Sequence, residues 1–213
     1  MRFILSLALA ISSCIAIVSA QESVNNVVVS KYDIQMYIEY NKVLVESDIY
    51  FDFPQTVNFS IELPYDARKI VNSVDGKQYP AVLDENMLVF SLNKNKHIKF
   101  SYITNDLLDG NSLVSSLLVP FDTDLLAVKV NLPEGAVLGK PLKKGSVQGR
   151  SVYPASAKLE TDGISISTSW DFEDVKDDQE IALYVSYKKP LRYVVPTVLI
   201  IAAVLLISGS LVF

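Results

Sequence analysis

The sequence predicts an all-β fold, an antiparallel β-sandwich, followed by a single C-terminal transmembrane helix. Three observations predict it. Hydrophobic and polar residues alternate over long stretches of the middle of the chain, as they do in half-buried strands. Glycine-containing turn sequences separate those stretches. The most apolar residues concentrate at the two ends of the 213-residue chain, and these ends raise the mean hydropathy to +0.28.

Residues 1–20 have the pattern of a cleaved secretory signal peptide. The single cation Arg2 precedes a long apolar run, and the small residues Ser19 and Ala20 end it just before the polar Gln21. Two alternatives are a lipoprotein signal with Cys14 in a poor lipobox, and an uncleaved membrane anchor. Cleavage after Ala20 would remove the only cysteine, and with it any disulfide, thiolate nucleophile or cysteine-based metal site.

Residues 191–213 are predicted to form the transmembrane helix. The 21 residues from Tyr193 to Phe213 carry no charge, and a helix of that length crosses a hydrocarbon core of about 30 Å. The signal peptide then places residues 21–190 outside the cytoplasm, with Lys188, Lys189 and Arg192 among the lipid headgroups. The positive-inside rule favours the opposite orientation, but translocation of a long domain overrides it.

Residues 21–190 are the predicted extracytoplasmic domain, and its first element is a hairpin with a turn at Asn41-Lys42. Alternation puts the apolar residues of both strands on one face: Tyr32, Ile34, Met36, Ile38, Tyr40, Val43, Val45, Ile49, Phe51 and Phe53. The opposite face carries Asp33, Gln35, Glu46 and Asp48. A slip of one residue in the register of either strand would exchange these two faces.

The same alternation predicts six further strands, over 57–63, 87–92, 96–103, 126–132, 164–172 and 181–187. Turns are expected at Asp75-Gly76, Asp109-Gly110-Asn111 and Thr161-Asp162-Gly163. Parity within the strands predicts a buried core of Ile34, Met36, Ile38, Val45, Ile49, Phe51, Phe59, Phe100, Trp170 and Leu183. It also gives Ile164 and Phe172 the same inward face as Trp170.

Two short sequence patterns recur in the same order and suggest an internal repeat, with units over 32–104 and 113–189. Leu63-Pro64 and Leu132-Pro133 are each followed by an alanine three residues after the proline, and Tyr79-Pro80-Ala81 recurs as Tyr153-Pro154-Ala155. Each unit then ends on a strand that closes with a tyrosine, Tyr102 or Tyr187. The alternative is that "Leu-Pro" simply marks strand ends in any β-protein.

The sequence contains no pattern that predicts a catalytic residue or a cofactor. His97 is the only histidine, in a basic turn, and no nucleophile elbow or phosphate-binding loop is present. The densest acidic run offers Asp174, Asp177 and Asp178 as weak candidates for a metal site, but without the spacing of a calcium loop. A solvated loop between strands is the preferred interpretation of that run.

Two other residues and the overall charge bear on function. Asn58-Phe59-Ser60 is a glycosylation sequon, and strand parity points Asn58 outward. Trp170 is interpreted as part of the core rather than as a platform for a sugar. The net charge of −5 argues against nucleic acid as a partner, because phosphate backbones are bound by clustered Lys and Arg.

The combination of signal peptide, β-rich domain with Leu-Pro strand ends, tryptophan-bearing strand and one C-terminal helix resembles uncharacterised archaeal-type envelope proteins. The resemblance implies architecture and no catalytic residue. We therefore expect a single-pass membrane protein that acts in binding or envelope assembly, with the lipid bilayer and another envelope protein as partners. One alternative is a sensory or accessory subunit that pairs through Ser208-Gly209-Ser210. Another is a glycan-acting enzyme with paired carboxylates.

Overall fold

The computed structural model describes residues 27–140 and 150–189, and every regular element in them is a β-strand. The expected all-β class is confirmed. Within the described ranges no helix is long and apolar enough to span a membrane. The predicted signal peptide at 1–20 and the predicted transmembrane helix at 191–213 lie outside the described residues.

Sixteen strands follow one another within the described ranges, and they divide into two sets of eight. The first set is β1 (Val28–Glu39), β2 (Lys42–Gln55), β3 (Asn58–Glu62), β4 (Arg68–Val74), β5 (Lys77–Tyr79), β6 (Val82–Asp84), β7 (Met87–Ser91) and β8 (Asn95–Thr104). The second set is β9 (Leu108–Asp109), β10 (Ser112–Leu118), β11 (Asp122–Asn131), β12 (Val137–Leu138), β13 (Val152–Tyr153), β14 (Lys158–Thr161), β15 (Ile166–Val175) and β16 (Glu180–Lys188).

The strands form one large sheet and two smaller ones. The large sheet has eight strands in the order β14-β15-β11-β1-β2-β8-β4-β5. A second sheet has the order β12-β16-β10-β9, with β13 also on β16, and a third has the order β3-β7-β6. Every pair of neighbours is antiparallel except β1 and β11, which run parallel from Val28↔Asp122 to Tyr37↔Asn131.

The parallel pair corrects the prediction of a purely antiparallel sandwich. Alternating hydrophobicity predicts that a strand is half-buried, but it says nothing about the direction of the neighbour. Here β1 already pairs antiparallel with β2 on one edge, and its other edge is taken by a strand from far along the chain. A parallel neighbour requires such a long connection, and the 82 residues between Glu39 and Asp122 provide it.

Only one face of the eight-stranded sheet is buried, so both smaller sheets cover the same face. Along β1 the even-numbered residues from Tyr32 to Ile38 are buried, whereas Lys31, Asp33 and Gln35 on the other face are partly or fully exposed. The molecule is thus a two-layer sandwich, and its second layer consists of two separate sheets side by side. One continuous core joins all three sheets.

The register predicted for the first hairpin is confirmed. Asp33 pairs with Asp48 and Met36 with Val45, which places the apolar residues of both strands inward. Of the ten predicted core residues, nine are buried and Phe59 is half-buried. Two residues assigned to the same apolar face are exposed, namely Tyr40 in the turn (63%) and Phe53 (74%). Phe53 lies between Tyr50 and Gln55, where the pairing of β2 with β8 is irregular.

The two sets of eight strands pair in nearly the same way. In the first set the order is β1-β2-β8-β4, with β3-β7-β6 as the accompanying sheet. In the second set the order is β9-β10-β16-β12, with β11-β15-β14 as the equivalent group. The fifth strands differ, because β5 pairs with β4 whereas β13 pairs with β16.

The two Leu-Pro patterns fall at equivalent places in this topology, whereas the two Tyr-Pro patterns follow β5 and β13, which pair differently. Leu63 and Leu132 are both buried directly after β3 and β11, and the same turn follows each. In that turn the N–H of Ala67 donates to the carbonyl of Pro64, and the N–H of Ala136 to that of Pro133, both at 2.9 Å. Tyr79 and Tyr153 end β5 and β13. A common origin of the two halves stays a prediction.

Candidate binding groove

The second layer of the sandwich has a groove between its two sheets, which we call the interlayer groove. Its volume is about 730 Å³. One wall is β3, at the edge of the three-stranded sheet, and the other is the second half of β10 with the following residues up to Phe121. The floor belongs to the large sheet, from β1, β2 and β8.

The floor of the interlayer groove is apolar and uncharged. Ile34, Val45 and Phe100 contribute hydrocarbon, and Tyr32 contributes a hydroxyl that hydrogen-bonds with Ser47. Burial raises the pKa of Tyr32 to about 12, even though the bond to Ser47 acts in the opposite direction. Burial also raises the pKa of Tyr102 strongly. Both phenols therefore stay neutral at physiological pH, and the floor favours apolar groups.

Both walls of the groove present strand edges that no other described strand covers. In the three-stranded sheet β3 pairs only with β7, and on β10 the short β9 reaches only Ser112 and Leu113. Residues of antiparallel strands direct their N–H and C=O groups alternately to either side. Because Leu63 donates to Asn86 of the β7 side, the even-numbered residues Asn58, Ser60 and Glu62 direct theirs into the groove.

The same reasoning applies to β10. The N–H of Val114 donates to Leu107 on the β9 side, and that of Val119 donates to Gln179 on the β16 side. Even-numbered residues of β10 therefore face away from β16, which leaves the backbone groups of Ser116 and Leu118 directed toward the groove. Leu118 is also 54% exposed at this rim.

The rim of the groove is acidic. Among the described residues that line it, four are acidic, Glu62, Asp106, Asp177 and Asp178, and none is Lys or Arg. Asn86 fixes the Glu62 carboxylate with a hydrogen bond of 3.0 Å, and the N–H of Asp177 donates to the Asp122 carboxylate at 3.0 Å. The rim therefore favours cationic side chains over anionic ones.

The acidic residues considered for a metal site are placed differently by the structure. Asp177 and Asp178 lie on the groove rim, whereas Asp174 lies near the end of β15 with a left-handed backbone conformation. In the described part of the chain no three His, Cys, Asp or Glu side chains lie close enough together to hold a metal ion. The geometry therefore gives these aspartates no shared site.

The other residues singled out by the sequence have separate locations. Asn58 is exposed on the β3 wall of the groove, so its side chain is accessible to a glycan, and its glycosylation stays a prediction. Lys188 ends β16 and is exposed, and the ammonium of Lys189 lies 4.8 Å from the centre of the Tyr40 ring. Arg192 lies outside the described residues.

Trp170 and His97 both lie in strands and make specific contacts there. Trp170 is 1% exposed and its indole N–H donates to the carbonyl of Pro154 at 2.9 Å, so it belongs to the core. The sequence context of His97 suggests a solvated turn, but in the structure His97 lies in β8. Its ring stacks on Tyr50 at 4.4 Å, and its Nε2 lies 2.9 Å from a carboxylate oxygen of Asp48.

If the two halves are stacked β units, a groove between them is expected as a ligand site, but one wall of the groove was not predicted from the sequence. The segment Ser112–Leu118 has the sequence SLVSSLL, which lacks a clean alternation, and it was not predicted as a strand. Its serines occupy positions that alternation would assign to either face, and Ser115 is buried. The short run of acids at 177–178 was the only signal that pointed to this end of the molecule.

Comparisons with known proteins reveal only distant similarity. No protein-family profile matches the sequence, and no curated protein sequence does. Solved structures with a similar fold include a proposed nutrient-binding protein from Legionella pneumophila (10% identity, TM-score 0.43) and an M1 zinc metallopeptidase from Deinococcus radiodurans (10%, 0.49). A proposed protease from Parabacteroides distasonis is a third (11%, 0.40).

These similarities extend over 75%, 76% and 78% of this chain, respectively. They span only 66%, 43% and 41% of the other chains, which is less than two thirds of each. At such low identity and TM-score they assign neither an activity nor a ligand to this protein.

Proposed function

We propose that this protein is a membrane-anchored, extracytoplasmic binding protein and that its ligand site is the interlayer groove. The observation that carries the proposal is a groove of about 730 Å³ with an apolar floor and two uncovered strand edges as walls. Concave sites with apolar surfaces and a few convergent polar groups are the usual ligand sites of proteins. The proposal assigns no catalytic residue.

The position of the groove fits a protein anchored at its C-terminal end. Lys188, Lys189 and the hairpin tip at Tyr40 lie together at the end of β16 that leads to the predicted transmembrane segment. Two of the four rim acids, Asp177 and Asp178, lie just before the other end of β16, whereas Asp106 follows Thr104, which pairs with Val43 near the hairpin tip. A nine-residue strand spans about 26 Å, so the end of the groove at Asp177 and Asp178 would lie well away from the lipid headgroups.

Site-specific photo-crosslinking in membranes tests this proposal. A photoreactive amino acid at Leu118, on the groove rim, should give a discrete adduct with a partner. The same amino acid at Leu159, which is similarly exposed (57%) at the far edge of the large sheet, serves as the matched control. Equal labelling from both positions, or none from Leu118, would show that the groove is not the binding site.

A further inference from the structure

The edge of β11 that is equivalent to the open edge of β3 is occupied in this structure. The two strands have equivalent positions, because Leu63 and Leu132 follow them directly and the same turn comes next. The groups that β3 directs into the groove come from Asn58, Ser60 and Glu62. On β11 the equivalent residues are Ala127, Lys129 and Asn131, and β1 covers them.

The hydrogen bonds on the inner edges confirm this equivalence. The N–H of Leu63 donates to Asn86, on the β7 side, and the N–H of Leu132 donates to Ile166, on the β15 side. The backbone N–H and C=O groups of the preceding residue in each strand, Glu62 or Asn131, therefore point to the opposite edge of that strand. On β11 that outward edge meets β1 in parallel, with Gln35 opposite Lys129 and Tyr37 opposite Asn131. On β3 no described strand takes the place of β1.

We infer that the interlayer groove binds an extended polypeptide segment of a partner, which adds to β3 as a parallel strand in the way that β1 adds to β11. This inference rests on the proposed function and specifies its ligand. Addition of a strand at a free sheet edge provides backbone hydrogen bonds for affinity and side-chain contacts for specificity. The internal pair β1–β11 supplies the direction and the register.

The chemistry of the groove defines the partner segment. Alternate side chains of an added strand would point to the floor, where Ile34, Val45 and Phe100 favour apolar residues. The remaining side chains would face the rim, where Glu62, Asp106, Asp177 and Asp178 favour Lys or Arg. The segment is therefore an extended polypeptide in which apolar residues alternate with polar ones and at least one cation is present.

The experiment is a selection from a random twelve-residue peptide library displayed on phage, carried out on the full-length protein in detergent micelles. We expect enriched peptides in which apolar residues alternate with polar residues that include Lys or Arg. A selected peptide is then synthesised with a photoreactive group at its N- or C-terminus. In the parallel arrangement the N-terminal group should label residues near Asn58, and the C-terminal group should label residues near Glu62 and Tyr65.

A pair of proline variants tests the hydrogen bonding. Ser60→Pro removes an N–H that faces the groove and leaves the β3–β7 ladder intact, since proline is tolerated on the free edge of a strand. Ser60→Pro should weaken binding of the selected peptide at least about tenfold, whereas Ser60→Ala should not weaken it. Leu83→Pro is the matched control, because Leu83 faces the opposite free edge of the same three-stranded sheet.

The outcomes separate the inference from the proposed function. Labelling of the groove in the reverse direction, or binding that Ser60→Pro does not affect, overturns parallel strand addition while the groove remains the binding site. The same conclusion follows if no peptide is enriched although the rim position Leu118 still crosslinks a partner in membranes. Peptides that label only sites outside the groove overturn the proposed function as well.

Discussion

The strands β3 and β11 occupy equivalent places in the two halves of the molecule, yet their surroundings differ. β11 lies between β1 and β15 inside the large sheet, and its inward residues Leu126, Val128 and Val130 are almost fully buried. Among the described strands β3 has a neighbour on one side only, and Phe59 and Ser60 are half-buried. The same local sequence pattern therefore forms an interior strand in one half and an edge strand in the other.

An uncovered strand edge is a risk for any β-protein, because it can pair with another exposed strand. The two edges of the groove limit that risk in ways common to natural β-proteins. β3 has only five residues, and acidic side chains surround it. The short length of the strand and the nearby negative charge both disfavour pairing with another exposed strand.

The largest losses of stability are expected on substitution of the buried aromatic residue that each half carries at an equivalent position. Trp170 lies opposite Val128 on β15, and Phe90 lies opposite Phe59 on β7. Trp170→Ala and Phe90→Ala should each lower the free energy of unfolding by about 3–5 kcal/mol, as large-to-small core substitutions do. Chemical denaturation of the purified protein measures both values.

Trp170→Phe tests the indole hydrogen bond separately from the packing of the ring. Trp170→Phe keeps most of the apolar surface but leaves the carbonyl of Pro154 without its 2.9 Å hydrogen bond, so it should cost about 1–2 kcal/mol. Since one core joins the three sheets, all three variants should unfold in a single transition. Two separate transitions in Phe90→Ala would show that the halves are independent units.

Proline substitutions on β11 and β3 compare the covered strand edge with the free one directly. Lys129→Pro removes an N–H that β11 directs to β1, in the middle of the large sheet. It should destabilise the protein by at least about 2 kcal/mol, because a buried carbonyl loses its donor and the ladder is interrupted. Ser60→Pro, at the equivalent position of β3, should cost less than about 1 kcal/mol without a ligand. Equal losses in thermal unfolding would mean that the edge of β3 is not free.

Much of the fold was accessible from the sequence where alternation is long and unbroken. The first hairpin, with its register and its buried face, follows from the period of two over 32–40 and 43–51. Alternation misled where a strand ends. Ile164 shares the parity of Trp170, but it belongs to the turn before β15, where its N–H donates to the Asp162 carboxylate, and it is 60% exposed.

The β10 wall of the groove and the parallel pair could not be predicted from the sequence, for a different reason. Short strands such as β5, β6, β9, β12 and β13 have two or three residues, too few for any periodicity. The pairing of β1 with β11 joins residues about 94 positions apart, and no local signal encodes it. The recurring Leu-Pro and Tyr-Pro patterns were the sole sequence evidence that the two halves have equivalent parts.

The smallest expected effect concerns the turn that follows each Leu-Pro pair. The first half has Asp66 in this turn, and the second half has Gly135 at the equivalent place, with a left-handed φ of 75°. The Asp66 carboxylate accepts hydrogen bonds from the hydroxyl of Thr104 and, at 2.6 Å, from the N–H of Asn105. Partial burial acts to raise the pKa of Asp66, but these hydrogen bonds outweigh it and lower the pKa.

A lowered pKa makes this contribution dependent on pH in a defined direction. The folded protein holds the carboxylate form more strongly than the unfolded chain, whose Asp66 has the ordinary value of 3.8. The stabilisation is therefore complete above that value and is lost as the pH falls below it, through the lowered pKa of the folded state. Asp66→Asn should cost about 1 kcal/mol at pH 7 and less at pH 3, because the wild type loses its advantage there. Thr104→Val, which removes one donor, should reduce the same pH-dependent difference. If thermal unfolding shows an equal loss in Asp66→Asn at both pH values, the turn of the first half is held by contacts other than this carboxylate.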